Sequence, residues 1–246
     1  MMNYLIRENR EIAKDTYFLS LEGDTTWVYR PGQFVNITVE NGYLKRPMSI
    51  ADYSENELIL IYKVLGRGTT WLSEQKPGKK LEMLVGLGNG FEIGKEEKAL
   101  VVGGGLGIPP LYALTRKLVE MGKEVTVVLG FQSKEYVFFE SKFKELTEDV
   151  IVLTDDGSYG ERGLVTKAIL DKDLSKLPYY TCGPLPMLKA VYEVSKARGR
   201  LSFEERMGCG FGECMGCSKK VKGGYKRVCL EGPVFESEEL LWEELV

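Results

Sequence analysis

The chain has 246 residues, 43% of them hydrophobic, and a net charge of -3, and this length suffices for two compact domains and a small appendage. It contains no histidine, which excludes histidine-based catalytic triads, Rieske centres and zinc sites with a histidine ligand. The mildly acidic balance provides no basic surface for nucleic acid, and no apolar run reaches the length of a membrane span. Residues 1–14 lack the apolar core of a signal peptide, so we expect a cytoplasmic protein.

The first hundred residues predict a small antiparallel β-barrel. Short β-forming runs recur between Gly, Pro and Asn turns, at residues 17–21, 34–39, 58–64 and 81–84. A helical period is present only around residues 68–74. This pattern is typical of a compact barrel that ends at a domain boundary near residues 94–98.

Two polar stretches of the predicted barrel have groups that suit a phosphate or a heterocycle. The first is Arg46-Pro47-Met48-Ser49, where an arginine beside a turn can hold a diphosphate bidentately and a serine can hydrogen-bond a ring nitrogen. In the second stretch glycine permits close approach of a phosphate, and its members are Ile61, Tyr62, Lys63, Gly68 and Thr69. Taken singly, each stretch is more typical of a solvated turn than of a binding site.

A glycine-rich loop follows the next apolar run, at residues 99–102. Its sequence is Gly103-Gly104-Gly105-Leu106-Gly107-Ile108, and Pro109-Pro110 then opens a segment with a helical period. Proline fits the first turn of a helix, where free backbone amides can face a pyrophosphate. Ile108 stands where the dinucleotide-binding fingerprint has its third glycine, so an ordinary β-α turn stays open as the alternative.

The residues that follow predict a doubly wound parallel sheet. Strands alternate with helices, at 125–129, 151–154 and 179–181 for the strands and at about 109–121, 136–146, 163–171 and 185–198 for the helices. Ligands of such sheets bind at the carboxyl ends of the strands. The candidate residues there are Gly103, Gly104, Gly105, Gly107, Pro109, Asp155, Cys182, Gly183 and Pro184. No arginine cluster follows the second strand to hold a 2′-phosphate, which favours NAD over NADP, although Lys134 lies nearby.

Four of the five cysteines fall within 21 residues: Cys209, Cys214, Cys217 and Cys229. The first three have the spacing C-x4-C-x2-C, and eleven residues separate the third from the fourth. This spacing is the ligand pattern of a plant-type [2Fe-2S] cluster. A structural zinc site is the alternative, but zinc knuckles usually contain two close pairs, and here only Cys214 and Cys217 are so spaced. Glycines between the cysteines let backbone amides approach the sulfurs, which favours the cluster.

A nicotinamide nucleotide exchanges two electrons as hydride, whereas an iron-sulfur cluster takes one electron at a time. A chain with both sites needs a mediator between them, and flavin is the usual one. We therefore expect the barrel to bind a flavin that faces the nicotinamide loops across the domain boundary.

Five motifs in order along residues 5–236 resemble the electron-transfer subunits of class 1B dihydroorotate dehydrogenase, within the ferredoxin-NADP reductase superfamily. They are Arg46-Pro47-Met48-Ser49, Gly86-x-Gly88-Asn89-Gly90-Phe91, Gly103 to Pro110, Cys182-Gly183-Pro184, and Glu205-Arg206-Met207 before the cysteines, with Cys229-x-x-Gly232-Pro233-Val234-Phe235 after them. Met48 replaces the tyrosine of the superfamily's flavin motif, and Tyr62 is one candidate for supplying that aromatic ring.

The resemblance implies an α+β and α/β multidomain protein in three parts. These are an antiparallel β-barrel that binds FAD at residues 1–96, a doubly wound parallel sheet that binds NAD at 97–200, and a small [2Fe-2S] domain at 201–246. It also implies that Arg46 contacts the FAD phosphates and Ser49 the isoalloxazine, and that the four clustered cysteines are the iron ligands. The FAD site would be completed by Pro47, Met48, Ile61, Tyr62, Lys63, Gly68 and Thr69.

The resemblance further implies a partner, a catalytic subunit that contains FMN and oxidises dihydroorotate, commonly in a heterotetramer with two of each chain. Electrons would pass from that FMN through the [2Fe-2S] cluster and FAD to NAD+. No side chain of this chain need act as an acid or base in that scheme.

Two other functions stay open at this point. Related flavin subunits exchange electrons between NAD(P)H and ferredoxin, or serve hydrogenase assemblies, and share this architecture; the Glu205-Arg206-Met207 lead-in favours the dihydroorotate system. A zinc-bearing interaction module without catalysis is a more distant alternative. Flavin and iron-sulfur absorption would distinguish the redox proteins from a colourless zinc protein.

Overall fold

The computed structural model of the chain describes residues 1–40 and 42–245. The first group of elements is β1 (Met2–Ala13), β2 (Thr16–Glu22), β3 (Phe34–Ile37), β4 (Arg46–Tyr53), β5 (Glu57–Lys63), α1 (Arg67–Ser73) and β6 (Lys80–Leu87). The second group is β7 (Lys98–Gly104), α2 (Pro109–Glu120), β8 (Glu124–Phe131), α3 (Glu140–Lys144), β9 (Val150–Thr154), β10 (Glu161–Arg162), α4 (Val165–Asp171), β11 (Tyr179–Cys182), α5 (Leu185–Val194) and β12 (Gly199–Ser202). The last group is β13 (Ser218–Val221), β14 (Gly224–Arg227), β15 (Val234–Glu236) and α6 (Trp242–Leu245).

The first six strands close into an antiparallel barrel in the order β1-β2-β5-β4-β3-β6, which confirms the predicted barrel. Its interior is built from cross-strand pairs such as Leu19 with Leu60 and Leu21 with Leu58, all of them fully buried. Burying one such side chain contributes about 1.5–3 kcal/mol to folding. Closure also leaves no exposed strand edge.

The polar stretch at residues 46–49 is the start of strand β4, and the interpretation as a turn is wrong. Pro47 lies opposite Asn36, and Met48 opposite Val35, in the ladder with β3. Proline and polar side chains gave this stretch the composition of a turn. Its pairing partners lie elsewhere in the sequence, so only the closed barrel makes it a strand.

The second group forms a parallel sheet in the order β10-β9-β8-β7-β11-β12, to which β15 is added antiparallel to β12. Residues 99–104 of β7 are buried throughout because helices cover both faces of the sheet. The chain runs from β7 outward through β8 and β9, and then returns to place β11 on the other side of β7. This reversal creates a topological switch point, the usual ligand position in such sheets.

The predicted strands and α2 are present, whereas two predicted helices are shorter than expected. The helix predicted at 136–146 spans only Glu140–Lys144, because residues 134–136 form a separate 3₁₀ turn and Phe139 is left-handed, with φ 62°. The helix predicted at 185–198 ends at Val194. No helix of residues 1–40 and 42–245 has both the length and the apolarity to cross a membrane.

The cysteine segment, residues 204–233, leaves the parallel sheet after β12 and returns to it in β15. Arg200 of β12 lies opposite Glu236 of β15, so the predicted boundary between residues 200 and 201 falls inside a paired strand. After β15, helix α6 packs against the residue that follows β12. Trp242 lies 6.1 Å from the ring of Phe203, centroid to centroid, and is buried.

Candidate cofactor sites

The first cavity lies at the switch point and has a volume of about 410 Å³. Four of the nine residues proposed for the dinucleotide line it directly: Gly104, Gly105, Asp155 and Pro184. They lie at the end of β7 and in the loops that follow β7, β9 and β11, because the carboxyl ends of parallel strands meet at one edge of the sheet. The cavity has the size and position expected for part of a dinucleotide.

The other five singled-out residues, Gly103, Gly107, Pro109, Cys182 and Gly183, lie behind this cavity. A Cβ on Gly107 would stand 2.1 Å from the carbonyl oxygen of Cys182, so the two switch-point loops touch backbone to backbone. A Cβ on Gly103 would stand 2.8 Å from Cγ1 of Ile108. These glycines allow close packing of strand, loop and helix, which leaves the cavity lining to their neighbours.

Sequence reasoning missed Met187 and Tyr136, which both line the first cavity. The Met187 side chain covers the glycine loop, since a Cβ on Gly104 would stand 2.4 Å from its sulfur. The Tyr136 ring lies under the Lys63 ammonium, 4.3 Å from ring centroid to nitrogen, a cation–π geometry. Neither residue belongs to a glycine-marked motif, so the sequence contained no signal for them.

A second cavity, of about 240 Å³, lies between the barrel and the cysteine segment. Seven of the nine barrel residues proposed for a flavin line it: Pro47, Met48, Ser49, Ile61, Tyr62, Lys63 and Thr69. Its opposite wall consists of Phe203, Glu204, Glu205, Met207 and Pro233. Tyr62 is almost fully buried, donates its hydroxyl to Asn9 Oδ1 at 2.9 Å and stacks on Tyr17.

The remaining two barrel residues, Arg46 and Gly68, meet at one end of this site. A Cβ on Gly68 would stand 2.5 Å from Nε of Arg46, so the guanidinium lies directly on the first turn of α1. Nη1 of Arg46 donates to the carbonyl of Leu44 at 2.7 Å, which fixes the plane of the guanidinium. A cation held against free helix amides is a suitable place for a diphosphate.

Replacing Arg46 by leucine is expected to weaken FAD binding by about 10- to 100-fold, the loss of a charge-assisted hydrogen bond or two. Fluorescence titration of the deflavinated protein with FAD measures this. The matched control is Arg7→Leu, because Arg7 pairs with Glu22 on the outside of the same barrel. Equal FAD affinity in both variants would contradict the assignment of Arg46 to the phosphates.

The two cavities adjoin each other. Lys63 of the barrel and Leu106 of the glycine loop line both of them. A flavin ring in one cavity and a nicotinamide ring in the other would therefore meet at these two side chains, as direct hydride transfer requires.

Two titratable groups lie near each other: Glu204, which lines the second cavity, and Cys182 of β11. Burial raises the pKa of the Glu204 carboxyl, although part of the side chain still faces the open cavity. Burial also raises the pKa of the Cys182 thiol, and the charge of Glu204 raises it further. Cys182 is buried and lies in β11, outside the cysteine segment.

The four clustered cysteines form two pairs. The backbone N–H of Cys214 donates to Sγ of Cys209 at 3.4 Å, and the N–H of Cys229 donates to Sγ of Cys217 at 3.4 Å. Partial burial raises the pKa of Cys209, but backbone amides, that of Cys214 first, outweigh it and lower this pKa to about 6. Burial raises the pKa of Cys229 to about 12, with a further contribution from Cys217.

Two sulfur pairs with amide donors suit a binuclear cluster, in which each iron takes two thiolates and the amides stabilise the negative charge. Iron, when bound, would hold all four cysteines as thiolates, including Cys229 with its raised pKa. The residues present therefore fit a [2Fe-2S] cluster.

A β-barrel, a switch-point sheet and a cysteine segment around two adjoining cavities define an electron-transfer flavoprotein of the ferredoxin-NADP reductase type, with FAD, NAD and [2Fe-2S] sites. Residues 204–241 match the model of the iron-sulfur cluster binding domain of dihydroorotate dehydrogenase B, and residues 101–193 that of the oxidoreductase NAD-binding domain. The chain belongs to the family of electron transfer subunits of dihydroorotate dehydrogenase B (NAD(+)).

Relatives with that name share much of the sequence. The protein of Fusobacterium nucleatum subsp. nucleatum is 41% identical over 96% of each chain, and that of Geobacillus sp. (strain WCH70) is 44% identical over 95% of each. A solved NADH-dependent reduced ferredoxin-NADP oxidoreductase is 33% identical, with a TM-score of 0.89, over 100% of this chain and 92% of that one. Phthalate dioxygenase reductase, 17% identical over 93% of this chain and 94% of that one with a TM-score of 0.69, shares the fold.

Proposed function

We propose that this chain is the electron-transfer subunit of an NAD-dependent dihydroorotate dehydrogenase and delivers to NAD+ the electrons that a catalytic partner removes from dihydroorotate. The observation that carries this proposal is the position of the second cavity. It adjoins the first cavity at Lys63 and Leu106, and its other wall is the start of the cysteine segment. A flavin in this place lies between a cluster and a nicotinamide.

Each part of the chain has a defined task in this proposal. Flavin, when bound, accepts single electrons on one side and transfers hydride on the other, and the cluster accepts and releases one electron at a time. Arg46 and Gly68 hold the diphosphate, and Met48, Ser49 and Tyr62 form the wall against the ring system.

The first cavity receives the nicotinamide nucleotide. The amides of Gly104 and Gly105 face its pyrophosphate, and Asp155 suits a ribose hydroxyl. A carboxylate in this position repels a 2′-phosphate, which supports NAD over NADP. Pro184 lines the cavity where the nicotinamide end lies. The residues that support the two loops from behind are Gly103, Gly107, Pro109, Cys182 and Gly183.

The surface around the cysteine segment supports a protein partner. Phe211 and Met215, beside the ligand cysteines, and Leu230, after the last one, are 48%, 54% and 45% exposed. Exposed apolar side chains grouped around a redox centre are typical of an interaction site. We propose that the FMN-containing catalytic subunit docks here, in a heterotetramer of two of each chain. A cytoplasmic location is also proposed, because four free ligand thiols require a reducing compartment.

The test is co-expression of this chain with the suspected catalytic subunit, followed by an assay of dihydroorotate-dependent NAD+ reduction. The complex should reduce NAD+, whereas the catalytic subunit alone should oxidise dihydroorotate only with an artificial acceptor. NAD+ reduction by the catalytic subunit alone would contradict the relay. The mass of the purified complex tests the heterotetramer.

A second function is favoured by one specific observation, the 33% identity over the full chain to the solved ferredoxin-NADP oxidoreductase. A subunit of that kind would exchange electrons between NADH and a ferredoxin. The same purified chain, assayed with NADH and ferredoxin, distinguishes the two. Rapid ferredoxin reduction without any response to dihydroorotate in the complex would replace the first proposal by the second.

A further inference from the structure

Asn36 of strand β3 is a buried polar side chain that reaches from the barrel to the cysteine segment. It is 1% exposed, and its Nδ2 donates to the carbonyl oxygen of Cys209, the first ligand, at 3.3 Å. The contact is tight, because a Cβ on Gly210 would stand 2.4 Å from the same nitrogen. Gly210 has φ +80°, a conformation that favours glycine, so the loop is shaped to fit against Asn36.

The amide oxygen Oδ1 of Asn36 is buried and has no hydrogen-bond partner among the described residues. A buried amide with an unpaired acceptor is less stabilising than an apolar side chain of the same size. The folding of the barrel therefore does not explain an asparagine at this position. Compared with an apolar side chain, the asparagine adds a hydrogen-bond donor to the Cys209 carbonyl.

Asn89, which follows β6, makes the equivalent contact at the other end of the cysteine segment. Its Nδ2 donates to the carbonyl of Glu231 at 2.5 Å, two residues after the last ligand, Cys229. Its backbone N–H donates to the carbonyl of Gly232 at 2.8 Å. The barrel thus holds the segment just outside both terminal ligands.

The same strand that carries Asn36 also forms part of the flavin cavity. Phe34, two residues earlier in β3, lines that cavity, and Asn36 lies opposite Pro47, another lining residue, in the β3–β4 ladder. Asn36 therefore contacts the cysteine segment on one side and lies next to the residues that line the second cavity on the other.

We propose that Asn36 and Asn89 are positioning residues that hold the [2Fe-2S] segment at a fixed distance from the flavin, and that Asn36 also sets the electrostatic environment of the Cys209 ligand. This inference rests on the proposed function only in requiring that both cofactors bind. In the proposed direction one electron would pass from the reduced cluster to the flavin, and NADH would drive the same step in reverse. In either direction the rate of this step falls steeply with the separation of the two cofactors.

The test compares Asn36→Leu, Asn89→Leu and the double variant with the wild type, all loaded with flavin and iron. Leucine keeps the number and branching of the side-chain heavy atoms of asparagine and removes its hydrogen bonds. Amide hydrogen exchange in residues 209–231 should be about fivefold faster in each single variant, the effect of one lost neutral hydrogen bond, and about 25-fold faster in the double variant. Exchange in the barrel strand β5 should be unchanged.

Spectroscopy separates positioning from simple stabilisation. In stopped flow with NADH, flavin reduction should keep its wild-type rate in all variants, whereas the subsequent reduction of the cluster should be slower. Asn36→Asp, which replaces the donor by a negative charge beside Cys209, should shift the cluster potential to more negative values, and Asn36→Leu should shift it less. Asn56→Leu, in the exposed β4–β5 turn, is the control and should match the wild type in every measurement.

Wild-type exchange and wild-type cluster reduction in the double variant would overturn the inference. Loss of iron from that variant with an unchanged melting temperature would support it, because the segment then requires the two contacts to hold its cluster. A wild-type protein that binds neither flavin nor iron would instead contradict the proposed function, and the inference with it.

Discussion

The Cys214→Ser variant is expected to lose the cluster completely and to retain its flavin. Serine is a poor iron ligand at neutral pH because its hydroxyl stays protonated, and three thiolates cannot satisfy two tetrahedral irons. Cys214 is exposed and its backbone N–H contacts Cys209, so its replacement does not disturb the buried apolar residues of the protein. Iron content should fall from about two per chain to near zero, with loss of the reduced-cluster EPR signal.

The same variant should still reduce FAD with NADH, because the two adjoining cavities contain no ligand cysteine. Electron transfer between the catalytic partner and NAD+ should be abolished. The matched control is Cys182→Ser, since Cys182 is the one cysteine outside the segment and should leave the iron content unchanged. Retention of two irons in Cys214→Ser, or loss of iron in Cys182→Ser, would show that the ligand assignment is wrong.

The Gly107→Ala variant is expected to destabilise the protein and to lose NADH binding. Its Cβ would stand 2.1 Å from the carbonyl oxygen and 2.4 Å from the backbone nitrogen of the neighbouring loop, at Cys182 and Gly183. Backbone atoms cannot move aside as a flexible side chain can, so the two switch-point loops must separate. We expect the free energy of unfolding to fall by about 3 kcal/mol, as for an overpacked core.

Thermal unfolding followed by circular dichroism should show a melting temperature lower by on the order of 10 °C. Titration with NADH should show an affinity reduced by at least about tenfold, since a displaced glycine loop no longer aims its amides at the pyrophosphate. Gly122→Ala is the control: φ is +77° there, and a Cβ would meet no atom within 4 Å. Gly122→Ala should lower the free energy of unfolding by about 1 kcal/mol through backbone strain and leave the NADH affinity unchanged. An equal effect of both variants would contradict the role of the loop contact.

Much of the architecture could be predicted because its signals are local. The strand, glycine loop and proline-initiated helix at residues 99–120 are consecutive in sequence, and so are the three ligands from Cys209 to Cys217. Local spacing determines which backbone amides and sulfurs can meet, whatever the rest of the chain does. The parallel sheet followed from the same alternation of buried runs and helical periods.

Other features could not be predicted, because they depend on contacts between residues that are distant in sequence. Strand β4 has the composition of a turn, and β15 joins the sheet beside β12, 36 residues apart at Arg200 and Glu236. Glu204 and Met187 became cavity residues only through the packing of separate segments. Hydrophobic period does not specify which strand pairs with which, so these placements depend on closure of the barrel and sheet.

The sequence by itself indicated the three cofactor types. The NAD and [2Fe-2S] predictions rested on short motifs and their spacing, and the flavin prediction rested on the need for a mediator between hydride and one-electron chemistry. The tertiary structure alone decided how those sites are connected. Lys63 and Leu106 join the two cavities, and Asn36 ties the barrel to the ligand Cys209 across 173 residues of sequence. Electron transfer depends on distances between sites, and such distances arise only when strands remote in sequence close the barrel against the sheet.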